Sequence, residues 1–370
     1  MNKTLGIIAC NYRLDGLREM TLSRPPAAMP FGGRYAMSDF PLSAMVHAGI
    51  KSVGFVNPYL YRPIVDHLGS GKEWDLDRKS GGLFFLPGVT NWLYSKDRFA
   101  LKDLKKNMDF FQREEAESIL LSGSNSIFSL DLRELLEAHH REGRDCTFLY
   151  HKAKEGDILD PDGSLLELDG EGLVRGLIPA GKPEEGAPYF MDLLIVSRSL
   201  LLSILEGYEE GTEGDPGDLA RELAGRGIAK GVEAVGYYAA IYSKESYFKA
   251  NMDLMKPQVS QELFHLKRRV ITRVKDNPPT RYGEGCDVRE AIVSSGCTLD
   301  GKVVRSLLCR GVVVEEGAKV KDSIIMHDCV ISKGAYLENV ILDKSVRVTE
   351  NSMIKGDQEV PLFIPKSKRI

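Results

Sequence analysis

Residues 306–342 read SLLCRGVVVEEGAKVKDSIIMHDCVISKGAYLENVIL, and a short apolar unit recurs here in steps of 17 residues. The unit is Ser306-Leu307-Leu308, then Ser323-Ile324-Ile325, then Val340-Ile341-Leu342. A step of about three hexapeptides, with apolar residues inside and Gly or Asp at the corners, is typical of a parallel β-helix. A less regular coil at 292–303 extends the repeat to roughly three to four coils. Stacked coils must supply the core, because one coil cannot bury its own inner face.

Upstream of residue 256, short apolar runs alternate with longer amphipathic stretches. The segment Leu130–Arg141 has leucines at helical spacing, and Ser129 precedes it as a candidate N-cap. Alternating strands and helices predict a mostly parallel sheet in an α/β domain, with ligands bound outside the carboxyl ends of the strands. The predicted strands are Leu5–Cys10, Ser52–Val56, Ser118–Leu121, Cys146–His151 and Leu193–Val196.

The length of 370 residues favours two domains, since a single hydrophobic core usually stops growing near about 250 to 300 residues. We predict an α/β domain at 1–256, a linker at 257–285, a β-helix at 286–357 and a C-terminal tail at 358–370. The linker contains Asn277-Pro278-Pro279, which favours an extended chain.

Charge and cysteine content exclude several classes of partner. The 49 basic and 53 acidic residues give a net charge of −4, which favours neither nucleic acid nor an anionic membrane. The six cysteines form no CxxC pair, so we expect reduced, buried thiols and no zinc or redox site. The apolar run Leu5–Cys10 is shorter than the core of a signal peptide, and we expect a cytoplasmic protein.

Two stretches carry a family resemblance. Residues 30–50, PFGGRYAMSDFPLSAMVHAGI, and residues 247–254, YFKANMDL, resemble the sugar-nucleotide pyrophosphorylases, most closely glucose-1-phosphate adenylyltransferase, or ADP-glucose pyrophosphorylase. The resemblance covers nearly the whole chain. It implies a Rossmann-like nucleotidyltransferase domain followed by a left-handed β-helix, and a reaction of glycogen biosynthesis that converts ATP and glucose 1-phosphate to ADP-glucose and diphosphate.

The chain departs from the family at the phosphate-binding loop. Active members have a GGxGTRLxxLT loop after the first strand, whereas this chain has NYRLDGLREMT and keeps only Gly16 and Thr21. Side chains at Asn11, Tyr12 and Asp15 are expected to block or repel a triphosphate. A proline, Pro26, stands where the family has the lysine of an RAKP segment.

The two metal-binding carboxylates of the family are also replaced. Ser124 stands at the aspartate of an AGD segment, and Ala240 stands at the aspartate of a WRD segment. The resemblance therefore implies no metal site and no tightly bound cofactor, with Mg²⁺ relevant only to residual activity. It points to the D-type regulatory subunits of the family, which have little or no activity alone and are expected to associate with a catalytic subunit as a heterotetramer.

Other contacts are predicted from the same resemblance. Arg34, directly after PFGG, is the candidate contact for an anionic sugar-phosphate effector, because arginine binds phosphate in a bidentate manner. A residual nucleotide or sugar pocket is assigned to Arg24, Asn91, Trp92 and Lys182. We expect Lys96 and Arg98 to be solvated.

The PFGG stretch also has a purely structural interpretation, as a turn followed by a helix at Leu42–Ala48. Two other functions are compatible with the sequence. One is an active nucleotidyltransferase with relocated metal ligands. The other, less favoured, is a hexapeptide acyltransferase that uses His327 as a general base.

Overall fold

A computed structural model describes residues 4–58, 60–90, 95–212, 216–265 and 268–370 of the chain. The strands of the α/β domain are β1 (Thr4–Ala9), β2 (Pro30–Phe31), β3 (Tyr35–Ala36), β4 (Ser52–Asn57), β5 (Gly82–Pro87), β6 (Ser118–Gly123), β7 (Ser126–Phe128), β8 (Cys146–Lys152), β9 (Ser164–Leu168), β10 (Val174–Pro179), β11 (Pro188–Ser197), β12 (Lys230–Glu233) and β13 (Tyr238–Ala240). All five strands predicted from the sequence are present, as β1, β4, β6, β8 and β11.

The central sheet of the described residues has nine strands. Its first part, in the order β5-β4-β1-β6, is parallel, as the alternating pattern predicts. Beyond β6 the sheet becomes mixed, because β11 is antiparallel to β6 and to β8, and β9 and β10 continue antiparallel. The α/β class is confirmed, and the carboxyl ends of β1, β4, β5 and β6 lie at one edge.

Helices cover the sheet, and one predicted cap is wrong. The amphipathic helix begins at Leu132, and its N-cap is Asp131, whose carboxylate accepts a hydrogen bond from the Arg133 N–H at 3.0 Å. Ser129 instead donates to the Glu262 carbonyl at 3.2 Å. The helices are α1 (Asp39–His47), α2 (Arg62–Leu68), α3 (Leu101–Lys106), α4 (Met108–Arg113), α5 (Leu132–Arg141), α6 (Arg198–Gly207), α7 (Leu219–Gly225), α8 (Lys244–Asp253) and α9 (Pro257–Ser260).

The C-terminal part is a left-handed parallel β-helix, as predicted. The 17-residue step puts Leu307, Ile324 and Ile341 directly above one another in one ladder. Three ladders contain five strands each, so the repeat is longer than the sequence pattern indicates. The strands are β14 (Arg281–Tyr282), β15 (Asp287–Arg289), β16 (Ile292–Val293), β17 (Thr298–Leu299), β18 (Lys302–Val304), β19 (Leu307–Leu308), β20 (Val313–Val314), β21 (Lys319–Lys321), β22 (Ile324–Ile325), β23 (Val330–Ile331), β24 (Tyr336–Glu338), β25 (Val340–Leu342), β26 (Arg347–Val348), β27 (Met353–Lys355) and β28 (Leu362–Ile364).

The corners of the coils explain the recurring glycines. Gly317 and Gly334 have φ angles of 73° and 69°, and Asn351 takes the equivalent place one coil later with φ of 56°. Left-handed backbone is costly for most side chains, so Gly and Asn are favoured there. The ladders run from Arg281 to Ile364 and thus include residues on both sides of the limits 286 and 357 that the sequence suggests.

The hydrophobic cores of the two parts are continuous. One buried cluster contains Phe31 and Tyr247 of the α/β domain together with Leu307 and Ile324 of the β-helix. The six cysteines are free thiols, and Cys286 is the partly exposed one, contrary to the prediction that all are buried. Within the described ranges, no helix combines the length and the apolar character needed to cross a membrane.

Candidate functional site

The loops after β1 and β6 meet at the carboxyl edge of the sheet, and Tyr12 fills the space between them. These strands are parallel neighbours, with Ala9 opposite Gly123. The Tyr12 hydroxyl donates to Asn125 Oδ1 at 2.8 Å, lies 3.1 Å from Ser124 Oγ and accepts from the Ser124 N–H at 2.8 Å. Tyr12 is 1% exposed, and burial raises the pKa of its hydroxyl well above the usual value. The crevice where an α/β sheet usually binds its ligand therefore holds a side chain of the protein.

The structure brings Ser124 and Ala240 together, although they are far apart in the sequence. The strand β13 pairs with β7, so that Ala240 lies opposite Ser126, and the Ile241 N–H donates to the Asn125 carbonyl at 2.7 Å. Ser124 and Ala240 are both buried, and they offer a hydroxyl and a methyl group. Mg²⁺ in proteins is bound through carboxylates and phosphates. These residues do not fit a magnesium ion, and the described part of the chain has no cluster of three or more His, Cys, Asp or Glu for a metal.

Arg98 occupies the centre of this crevice, so the prediction that it is solvated is wrong. Its guanidinium lies 3.1 Å from Asp160 Oδ2 and 3.1 Å from Asp192 Oδ2, and Cζ is 4.5 Å from the centre of the Tyr12 ring. Its side chain is 11% exposed. Two carboxylates and an aromatic face hold this cation, and Arg98 takes up one of the two negative charges of Asp160 and Asp192. Lys96, in contrast, is half exposed, and it pairs with Asp162 at 2.6 Å.

Asp192 is a strained residue that the sequence analysis missed. Burial raises the pKa of its carboxyl to about 6, against the lowering effect of Arg98. Its φ of 52° lies in the left-handed region, which is costly for an aspartate. A signal was present in the sequence, because Asp192 interrupts the apolar run FMDLLIV, and a charge inside a buried strand requires a partner.

The remaining loop residues have structural contacts. A Cβ on Gly16 would lie 2.7 Å from the Tyr242 carbonyl, so this glycine permits close packing against the start of α8. Asp15 is exposed and pairs with Arg13. Pro26 is buried and begins the short 3-10 turn Pro26–Ala28.

Arg24 and Lys182, the two described members of the predicted residual pocket, lie in different parts of the molecule. Arg24 is directed at the β-helix, where its Nη2 lies 2.8 Å from Asp343 Oδ1. Lys182 is exposed in the loop between β10 and β11. Asn91 and Trp92 lie outside the described residues.

The PFGG stretch forms a turn that α8 holds in place. Gly32 and Gly33 have φ angles of 56° and 83° and join β2 to β3. The Tyr247 hydroxyl donates to the Pro30 carbonyl, and Asn251 Oδ1 accepts from the Gly32 N–H at 3.0 Å. The two stretches that carry the family resemblance therefore contact each other. The turn and the buried residues Met37, Phe40 and Met45 agree with the structural interpretation, although the helix begins earlier than predicted, at Asp39.

Arg34 lies where this turn meets the β-helix. A Cβ on Gly33 would be 2.5 Å from Ser294 Oγ, and Arg310 Nη2 donates to the Arg34 carbonyl at 3.1 Å. The Arg34 side chain is exposed. Burial, and then the charge of Arg34, lower the pKa of Arg310. The Asp39 carboxylate acts on Arg310 in the opposite direction. The exposed guanidinium of Arg34, beside a second arginine, still favours an anion.

His327 faces the same joint from the β-helix. Burial, followed by the charges of Lys344, Arg310 and Lys275, lowers the pKa of its imidazole to about 3. Its Nδ1 is buried and has no hydrogen-bond partner among the described residues. An imidazole with such a low pKa is a weak general base near neutral pH, which speaks against the acyltransferase alternative.

Comparison with known proteins agrees with this architecture. Residues 15–157 match the family described as Nucleotidyl transferase, and residues 278–360 match the family described as GlmU-like, C-terminal hexapeptide. The chain is 32% identical to glycogen biosynthesis protein GlgD of Bacillus subtilis (strain 168) over 99% of its length and 96% of that protein. The chain belongs to the glucose-1-phosphate adenylyltransferase family.

Within the glucose-1-phosphate adenylyltransferase family, the chain is similar both to GlgD proteins and to adenylyltransferases. Glycogen biosynthesis protein GlgD of Geobacillus stearothermophilus is also 32% identical, over 86% of this chain and 83% of that protein. Glucose-1-phosphate adenylyltransferase of Bacillus cereus is 27% identical, over 97% of this chain and 96% of that enzyme. The GlgD relatives are glycogen biosynthesis proteins by name, and this chain shares the nucleotidyltransferase family with them.

Proposed function

We propose that this chain is a regulatory subunit of glucose-1-phosphate adenylyltransferase with impaired catalysis. The observation that carries the proposal is the neighbourhood of Ser124 and Ala240, since neither residue can ligate Mg²⁺ as a carboxylate does. Phosphoryl chemistry depends on neutralising phosphate charge and aligning the reactants. Here the Tyr12 ring and the Arg98 guanidinium take the space in which that alignment would occur.

The partner in this proposal is a catalytic glucose-1-phosphate adenylyltransferase subunit, joined in a heterotetramer. Support comes from the names of the relatives, which include both GlgD proteins and adenylyltransferases. A regulatory subunit need alter its partner's free energies by only about 1–3 kcal/mol to change binding 5- to 150-fold.

Effector binding in this proposal involves Arg34, with an anionic sugar phosphate as the ligand class. Arg34 and Arg310 lie at the joint between the α/β domain and the β-helix, so a phosphate placed there would contact both parts. A change in the relative position of these parts gives the effector a route to the partner subunit.

The test combines the purified chain with the catalytic homologue from the same cell. Alone, with ATP, glucose 1-phosphate and Mg²⁺, the chain is expected to form no ADP-glucose. When mixed, the two chains are expected to sediment as one complex, and the rate or the effector response of the catalytic chain should change. Turnover by the chain alone at ordinary enzyme rates would support the alternative of relocated metal ligands. Absence of a complex together with unchanged kinetics would refute the regulatory role.

A further inference from the structure

One segment of the chain, residues 95–106, crosses the carboxyl edge of the sheet; we call it the closing segment. Its start is fixed to the loop after β1, because the Arg13 N–H donates to the Ser95 carbonyl at 2.8 Å. Further along, the Phe99 N–H donates to Asp218 Oδ2 at 2.7 Å. The closing segment is therefore held at both sides of the crevice, and it supplies two charged side chains to it.

The first of these side chains is Asp103, whose carboxylate occupies a cradle of three donors. Asp103 Oδ1 accepts from the N–H groups of Val89 and Thr90 at 2.8 and 2.7 Å, and Oδ2 accepts from Asn11 Nδ2 at 2.7 Å. Asp103 is 3% exposed. Successive backbone N–H groups after a strand, together with a side-chain amide, form an arrangement that binds anions. Here the anion belongs to the protein itself.

The surroundings of this cradle have more polar atoms than Asp103 uses. Asn11 Oδ1, Asn57 Oδ1 and Thr90 Oγ1 are buried without a hydrogen-bond partner among the described residues. Asn57 is the last residue of β4, and Asn11 and Thr90 follow β1 and β5; these three strands end at the same edge of the sheet. Buried polar atoms normally have hydrogen-bond partners. Three such atoms without partners beside the cradle are therefore typical of a site that binds a polar ligand.

The second side chain is Arg98, which is positively charged and contacts a different set of residues from Asp103. Its guanidinium lies between Asp160 and Asp192 and over the ring of Tyr12. The closing segment thus inserts an anion among donors and a cation among carboxylates. Both kinds of contact are ones that a charged small molecule would otherwise satisfy.

We propose that the closing segment is a built-in lid, and that Asp103 and Arg98 are internal ligands that keep the crevice shut against nucleotides and sugar phosphates. This proposal rests on the proposed function in one respect: it takes the carboxyl edge of the sheet to be the place where an active relative would bind its substrates. It adds that substrate binding, and not only turnover, is prevented by contacts within the chain.

Chemical rescue tests the cradle. In Asp103→Ala, the missing carboxylate leaves three donors that formate can satisfy, so formate should raise the melting temperature of the variant by roughly 2 °C or more over an equal concentration of chloride. Asp97→Ala is the control, because Asp97 lies in the same segment and pairs with Arg221 outside the cradle. A folded Asp103→Ala that responds to formate no more than Asp97→Ala would overturn the proposal.

The wild-type chain supplies a second test that does not depend on a variant. Calorimetric titration with ATP should give a Kd above about 1 mM, beyond the usual range of KM values, and hydrogen exchange in residues 95–106 should not change. Tighter ATP binding that protects this segment would refute the closed crevice. Both tests measure binding to the isolated chain, whereas the regulatory role is measured on the partner's kinetics, so either proposal can fail alone.

Discussion

Arg24 and Asp343 form an ion pair with an N–O distance of 2.8 Å between the α/β domain and the β-helix. Their side chains are 4% and 5% exposed, so the pair is almost completely shielded from solvent. The Lys344 N–H also donates to Asp343 Oδ1 at 2.7 Å, which fixes the carboxylate. Removal of one member of such a pair leaves the other charge buried without compensation. The pair therefore sets the position of the β-helix on the α/β domain.

Arg24→Ala is expected to destabilise the protein by about 3–5 kcal/mol, because Asp343 is left buried and unpaired. Denaturant unfolding measures this loss. The control is Arg281→Ala, which removes the exposed pair of Arg281 with Asp300 and should cost no more than about 1 kcal/mol. Equal losses in the two variants would contradict the role of the buried pair.

Gly33→Ala is expected to loosen the same joint. The new Cβ would meet Ser294 Oγ at 2.5 Å, and the φ of 83° is unfavourable for alanine. Gly49→Ala is a matched control, since Gly49 has φ of 86° but no atom within 4 Å of the added Cβ. The backbone penalty of about 1–2 kcal/mol applies to both variants, so any larger loss of unfolding free energy in Gly33→Ala reports the contact with the β-helix.

Acid should destabilise the protein partly through His327. In the folded protein its pKa is lowered to about 3, against 6.5 for an ordinary histidine. As the pH falls below 6.5, His327 becomes protonated in the unfolded chain but stays neutral in the folded chain. The free energy of unfolding therefore decreases by up to about 1.4 kcal/mol per pH unit. His327→Asn removes this contribution. Its unfolding free energy should therefore fall less steeply than that of the wild type between pH 6.5 and 4.5, and parallel curves would contradict the assignment.

Local patterns in the sequence account for much of the fold. The 17-residue step predicts the stacking of Leu307, Ile324 and Ile341, because the inward direction of a side chain depends only on its place in the coil. Apolar runs likewise predict β1, β4 and β6. The number of coils is underestimated because the first and last ones depart from the repeat.

Local sequence patterns do not predict the buried charges inside the candidate site. Arg98, Asp160 and Asp192 meet through the tertiary fold, and each charge is buried only because the others are present. A single charged residue in a sequence is normally exposed, so Arg98 gives no local signal. The assignment of Ser124 and Ala240 follows from family resemblance, and the pairing of β7 with β13, which puts Ala240 opposite Ser126, follows from the structure.

Restoring the two family carboxylates should not restore catalysis. In Ser124→Asp/Ala240→Asp, the new side chains enter a buried region in which the Tyr12 hydroxyl already bonds to position 124 and Arg98 is paired. We expect no Mg²⁺-dependent diphosphate release from ATP and glucose 1-phosphate, and a loss of stability from the buried charges. Turnover by this double variant would show that missing carboxylates are the sole defect and that the crevice is open.

Arg34→Ala should weaken the effector response of the complex with the catalytic subunit. Arg34 is exposed beside Arg310, and loss of a charged hydrogen bond costs about 1.5–3 kcal/mol, so the inorganic phosphate or sugar phosphate concentration for half-maximal effect should rise about tenfold or more. Arg34→Lys keeps the charge but loses bidentate geometry, and it should recover part of the response. Arg281→Ala, an exposed arginine on the β-helix, is the control. An unchanged half-maximal concentration in a folded Arg34→Ala would leave the PFGG turn with a structural role only, because its contacts to Tyr247 and Asn251 do not involve the arginine side chain.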